Sequence, residues 1–236
     1  FFIVFFTIFF LVATNLSNAV IIVDKQNSSS GVKNTAQKID FIKSRGPVVT
    51  KVPFQKAQSE KQHLALNHLI ALLKKNSKFK ANIKQINLSQ EGKVKSSGII
   101  KIENPNHFYY EIKKPNQVIY ISDGTTLWQY DKALMQVIKK KIDMRDASSK
   151  IPLLILTNPD KNLLKYFSIK EVQHNIFILT TLAKDDFINQ VLIGFDDDKL
   201  SKINQFQVVN TLNQKTEILF SDVKFVKSFK DGTFDF

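Results

Sequence analysis

Leu69-Ile70-Ala71-Leu72-Leu73 runs, after a short polar break, into Phe79-Lys80-Ala81-Asn82-Ile83-Lys84-Gln85, and the hydrophobic period changes between the two. Upstream, Leu66, Leu69, Ile70 and Leu73 fall at i, i+3, i+4 and i+7, which places them on one face of a helix, with Leu72 widening the stripe. Ser59 followed by Gln62 fits a capping box, so the spacing predicts a helix from Ser59 to Asn76 whose stripe packs on a sheet. Downstream, Phe79, Ala81 and Ile83 alternate with Lys80, Asn82 and Lys84, the pattern of a strand with one buried and one wet face.

The period of two persists almost to the end of the chain. Strands are predicted near 94–103, 107–113, 117–122, 127–130, 136–140, 166–171, 176–182, 189–196, 200–210 and 216–223. Gln90-Glu91-Gly92-Lys93 and Ser122-Asp123-Gly124 separate neighbours as turns, the second because Gly tolerates positive φ. Asp196-Asp197-Asp198 and Leu212-Asn213-Gln214 do the same. Ile151-Pro152-Leu153-Leu154-Ile155-Leu156 breaks the pattern as a short helix with Pro in its first turn, closed by Asn158-Pro159. The fold class is therefore mainly β with few α. Short connections make sequence neighbours spatial neighbours in a large antiparallel sheet. A sheet of that size curls or closes, with a long N-terminal helix and a short mid-chain helix to cap it.

The ends of the chain read differently. Phe1 to Val12, FFIVFFTIFFLV, is too short to span a bilayer comfortably, and Ser17-Asn18-Ala19 supplies the small-x-small pattern of a cleavage site. Residues 1–19 are expected to be a secretory signal peptide cut after Ala19. Residues 20–58, with Asn27-Ser28-Ser29-Ser30-Gly31, show no sustained period and are expected to form a flexible extension. Residues 59–236 form one folded domain of ordinary size.

Composition excludes several functions. The chain holds no Cys, which removes disulfides, thiolate metal sites, thiol nucleophiles and an acylated N-terminal Cys. Its formal charge is +13, yet only Arg45 and Arg145 are arginines. Sequence-reading nucleic-acid proteins rely on bidentate Arg forks, so a Lys-rich surface of this kind fits an anionic membrane face better than nucleic acid. His63 and His68 are five apart and do not share a helix face as metal ligands would, and HExxH, GxSxG, P-loop and GxGxxG motifs are missing. No enzymatic activity, metal or cofactor is expected.

Three segments together carry a resemblance. They are the helix and strand quoted first; Gly98-Ile99-Ile100-Lys101-Ile102 leading to Asn104-Pro105-Asn106-His107-Phe108-Tyr109-Tyr110-Glu111; and Pro115 followed by Ile119-Tyr120-Ile121-Ser122-Asp123-Gly124-Thr125-Thr126-Leu127-Trp128-Gln129-Tyr130-Asp131 and Gln136-Val137. In order and spacing they resemble the outer-membrane lipoprotein carrier family, LolA, over roughly residues 60 to 230. The resemblance implies an incomplete, half-open β-barrel with helices as a lid over an apolar cavity. It implies a periplasmic chaperone, monomeric, that takes the acyl chains of lipoproteins released by an inner-membrane ABC-type complex and passes them to an outer-membrane lipoprotein acceptor. The missing Cys favours the carrier over that acceptor. By position, Phe108 and Tyr110 would line the cavity and Leu153 and Leu156 would face it from the lid. Phe108 and Tyr110, two apart on a strand, share a face. The family commonly has Arg before the Pro-Asn pair, where it helps latch the lid; Asn104 stands there and lacks charge and reach. Two other readings keep the same physics or the same fold: a periplasmic carrier or sensor of another lipid, and a protein-interaction or regulatory domain.

Overall fold

A computed structural model describes residues 52–142, 151–182 and 187–236, with side chains described from Ser59 onward. The expected signal peptide and most of the expected extension lie outside the described residues. Helix α1 spans Val52–Lys75 and therefore starts ahead of Ser59, inside the stretch expected to be extension. The sequence carries the reason in Pro53, which suits the first turn of a helix because its missing N–H has no partner there anyway. Gln62 does not close a capping box; its Nε2 donates to Ser168 Oγ at 3.3 Å.

Eleven strands follow: β1 (Lys78–Ser89), β2 (Gly92–Glu103), β3 (His107–Lys114), β4 (Val118–Asp123), β5 (Thr126–Asp131), β6 (Gln136–Lys141), β7 (Phe167–Gln173), β8 (Ile176–Thr181), β9 (Ile188–Phe195), β10 (Ile203–Asn210) and β11 (Lys215–Phe225). Two short helices, α2 (Leu154–Thr157) and α3 (Leu163–Tyr166), lie between β6 and β7. Helix α3 takes the residues just ahead of and at the expected start of β7; its hydrogen bonds run from Leu163, Leu164 and Lys165 back to Asp160, Lys161 and Asn162.

The strands form one antiparallel sheet in the order β6-β5-β4-β3-β2-β1-β11-β10-β9-β8-β7. Two meanders meet where β1 pairs with β11, and the outer strands β6 and β7 are not paired with each other. The sheet is open, as expected, rather than a closed barrel. It is also curled. Laid flat, eleven strands would hold their edges about 48 Å apart at the usual spacing. Instead Leu127 from β5 and Phe167 and Ile169 from β7 belong to one buried cluster. Residues 151–157, which include α2, lie buried against the concave side.

Strand β1 shows why the sheet has an inside. Phe79, Ala81, Ile83 and Gln85 are buried, while Lys80, Asn82 and Lys84 are exposed. Helix α1 buries Ala65, Leu66, Leu69, Leu72 and Leu73 in the same core, which is the predicted stripe with Ile70 at its margin. At its C-terminal end, buried Asn76 joins helix to sheet: its Nδ2 donates to Leu72 O and Ser201 O at 2.9 Å each, and its Oδ1 accepts from Ile203 N at 3.0 Å.

Candidate functional site: the packed interior of the curled sheet

The candidate site is built from the concave faces of β1 to β4 and from the segment that crosses them. Pairing places Phe108 between Ile102 and Ser122, and Tyr110 between Ile100 and Tyr120. Phe108 and Tyr110 are both fully buried on the inner face. The rings of Tyr110 and Tyr120 lie 6.1 Å apart. Tyr110 donates its hydroxyl proton to Gln85 Oε1 on β1. Gln85 in turn donates to Asn87 Oδ1 at 3.1 Å. Burial first, and the neighbouring Tyr120 second, push the Tyr110 hydroxyl well above the ordinary tyrosine range. Burial, then Asp131, raises Tyr120 as well. Both rings are therefore neutral at any physiological pH, and the inner wall presents aromatic surface with the Tyr110 hydroxyl engaged by Gln85.

Against that wall lies Ile151-Pro152-Leu153-Leu154-Ile155-Leu156-Thr157, and every residue of it is buried. A one-sided lid would leave a wet face; here Leu153, Leu154, Ile155 and Leu156 are all within 1% of complete burial. The segment is a plug, apolar on all sides because it is enclosed on all sides. Leu154, Ile155 and Leu156 donate to Ile151, Pro152 and Leu153 carbonyls, so its backbone is mostly satisfied within itself. Among the described residues one backbone bond ties it to the sheet: Asn106 N donates to Thr157 O at 3.0 Å.

That bond lies two residues beyond Asn104, the position expected by resemblance to latch the lid. Asn104 uses its backbone N–H on Ser77 O at 2.8 Å. The side-chain Oδ1 atoms of Asn104 and Asn106 are both buried and have no hydrogen-bond partner among the described residues. Asn106, with φ 61, is held from the other side by Ser122 Oγ, which donates to its carbonyl at 2.5 Å. The structure thus brings Phe108, Tyr110, Leu153 and Leu156 into one cluster and gives the bond to the crossing segment to Asn106 rather than Asn104. Sequence reasoning missed Asn106, Gln85 and Asn76. Gln85 carried a usable signal, since it continues the inward series 79, 81, 83 as the one polar member.

A cleft of about 620 Å³ opens elsewhere, between α1 and the edge strand β7, lined by Leu64, Ala65, His68, Ile169 and Glu171 among others. Its floor is bolted by His68 Nδ1 and Glu171 Oε2 at 3.0 Å. Glu171 also accepts from Asn175 N at 3.0 Å. Among the described residues no group of three or more His, Asp or Glu side chains could hold a metal, and no helix is long and apolar enough to cross a membrane.

Among the described residues, an open antiparallel sheet curls around a buried apolar segment. The family model described as "Outer membrane lipoprotein carrier protein LolA" matches residues 74–236, more than half of the chain, and the chain belongs to that family. An outer-membrane lipoprotein carrier protein of Francisella philomiragia is 34% identical over 143 residues, covering 61% of this chain and 68% of its own. One from Pseudomonas aeruginosa is 30% identical over 178 residues, covering 72% and 83%. One from Azotobacter vinelandii is 27% identical over 194 residues, covering 80% and 91%. Among solved structures, a LolA superfamily protein from Nitrosomonas europaea aligns with a TM-score of 0.44 at 11% identity, over 72% of this chain and 97% of that one. A chain of the Pseudomonas aeruginosa MucA/MucB complex aligns with a TM-score of 0.40 at 12% identity, over 72% of this chain and 60% of that one.

Proposed function

We infer that this protein is a periplasmic carrier of lipoproteins. It takes their acyl chains into the curled sheet at the inner membrane, from an ABC-type releasing complex, and delivers them to an acceptor at the outer membrane. Export follows cleavage after Ala19, the carrier works as a monomer, and the transfer makes and breaks no covalent bond. The observation that supports this most is the plug. Leu153, Leu154, Ile155 and Leu156 occupy the space between Phe108, Tyr110 and the rest of the inner face, and a single backbone bond from Asn106 to Thr157 ties them there among the described residues.

The magnitudes fit an exchange. Burying four aliphatic side chains of this size is worth about 6–12 kcal/mol. An acyl chain gains about 0.8 kcal/mol per CH₂, so a chain of about 16 carbons gains about 12 kcal/mol. Guest and plug are near balance, and a bilayer offers the guest the same gain. Binding is then strong enough to hold cargo in water and weak enough to release it when an acceptor or the returning plug competes.

The test uses the protein with inner-membrane vesicles containing a labelled lipoprotein, the releasing complex and ATP. The expected result is a water-soluble complex of one lipoprotein with one carrier, from which cargo passes to vesicles bearing the acceptor. If native mass spectrometry finds free lipid bound and no lipoprotein, the cargo assignment fails.

A further inference from the structure

We propose that the β5–β6 hairpin is a docking surface for an anionic bilayer. The observation is an apolar tip with no cover. Met135 is 84% exposed, Leu134 56%, Ile138 46% and Val137 44%, four large apolar side chains within five residues. Exposed apolar residues on the other strands, such as Val94 and Val172, are scattered along the sheet; here Leu134 and Met135 form the turn, and Val137 and Ile138 follow on the two faces of the edge strand. Single exposed apolar residues are ordinary, but a contiguous group marks a place of contact.

The charge around the tip identifies the partner. Lys132, Lys139, Lys140 and Lys141 lie in the same stretch, and residues 132–141 contain no carboxylate. Asp131, just before it, is engaged: its Oδ1 accepts from Ala133 N at 3.0 Å and from Leu134 N at 3.1 Å. Those bonds set the turn and hold Leu134 and Met135 outward. Behind the tip, Trp128 pairs with Lys139 and Tyr130 with Val137 across β5 and β6, so the four share a face. Lys139 Nζ sits 5.7 Å from the Trp128 ring centre, and Phe236 stacks on the same indole. An apolar tip, a lysine collar and an aromatic shoulder suit the boundary between phospholipid headgroups and acyl chains.

A protein partner fits less well. The tip is an exposed turn, and lysine is a hydrated point charge without the forked geometry of a specific salt bridge. A partner strand would need the free edge of β6, which its lysines blunt. Lysines placed only to protect an edge would not be accompanied by Leu134, Met135, Val137 and Ile138. On this account the hairpin brings the carrier to the bilayer surface. The proposal concerns the outside of the protein and needs no cargo in the interior.

Because the chain has no Cys, an environment-sensitive fluorophore can be placed on Met135→Cys alone, with Lys84→Cys on the outer face of β1 as the control. Vesicles of phosphatidylglycerol mixed with phosphatidylcholine should shift the Met135 label to the blue, and pure phosphatidylcholine should not. Salt should weaken the effect. The control label should stay in water. Replacing Lys139, Lys140 and Lys141 by Gln should lower vesicle affinity by about tenfold or more without changing the melting temperature, since Lys139 and Lys141 are exposed and Lys140 is half-buried on an edge strand. A Met135 label that remains in water, or a Lys84 label that shifts equally, overturns the proposal. So does binding to a protein acceptor with no vesicle response.

Discussion

At the residue scale, the interior is organised by a few polar side chains on an apolar face. Asn76 makes three bonds, one back to Leu72 in α1 and two that close the end of α1 onto Ser201 and Ile203. Asn76→Ala removes all three and leaves Ile203 N–H and Ser201 C=O buried without that partner. A loss of about 3 kcal/mol in urea unfolding is expected. Tyr110 behaves differently, because its hydroxyl both bonds to Gln85 and resists ionisation. Tyr110→Phe should cost about 1–3 kcal/mol at pH 7, since Gln85 loses its donor. The pH dependence has a definite sign. A tyrosine whose pKa is raised in the folded state contributes stability that is complete below its unfolded pKa of 10.0 and is lost as pH rises above it. Tyr109 adds to this window, pushed up to about 12 by burial and then by Glu111. Wild-type stability should therefore fall from about pH 10 upward, and the deficit of Tyr110→Phe should narrow there. Melting temperatures from pH 7 to alkaline conditions check both statements.

At the scale of elements, most of the fold was legible because period two is a local signal. It survives at β1, where apolar and Lys or Asn residues alternate without exception from Phe79 to Lys84. The start of α1 was less legible, since Ser59 and Gln62 imitate a cap and the better marker, Pro53, sits in a polar stretch. Helix α3 was hidden because Leu163-Leu164-Lys165-Tyr166 has no period at four residues. The bond from Asn106 to Thr157 was invisible for another reason: a backbone N–H donates it, and any residue type supplies one. Gly98 shows how tightly the sheet is closed around β3. A Cβ there would stand 1.8 Å from the Glu111 carbonyl oxygen. Gly98→Ala must push β3 away from β2 and with it Phe108 and Tyr110. A loss of about 2 kcal/mol or more is expected in thermal or urea unfolding, with weaker cargo binding in the folded fraction.

At the scale of the molecule, the central claim is that the plug and the acyl chains occupy one space in turn. The sheet needs no large movement for this, because its edges are already unpaired with each other; residues 151–157 have to move. The most direct measurement locks that segment. Asn106 N and Thr157 O are 3.0 Å apart, so the two residues are neighbours, and the chain has no other Cys to interfere. In Asn106→Cys/Thr157→Cys the oxidised protein, its disulfide verified by mass, is compared with the same sample after reduction. The reduced form should take labelled lipoprotein from vesicles and the oxidised form should not. Equal loading of both forms would contradict the account.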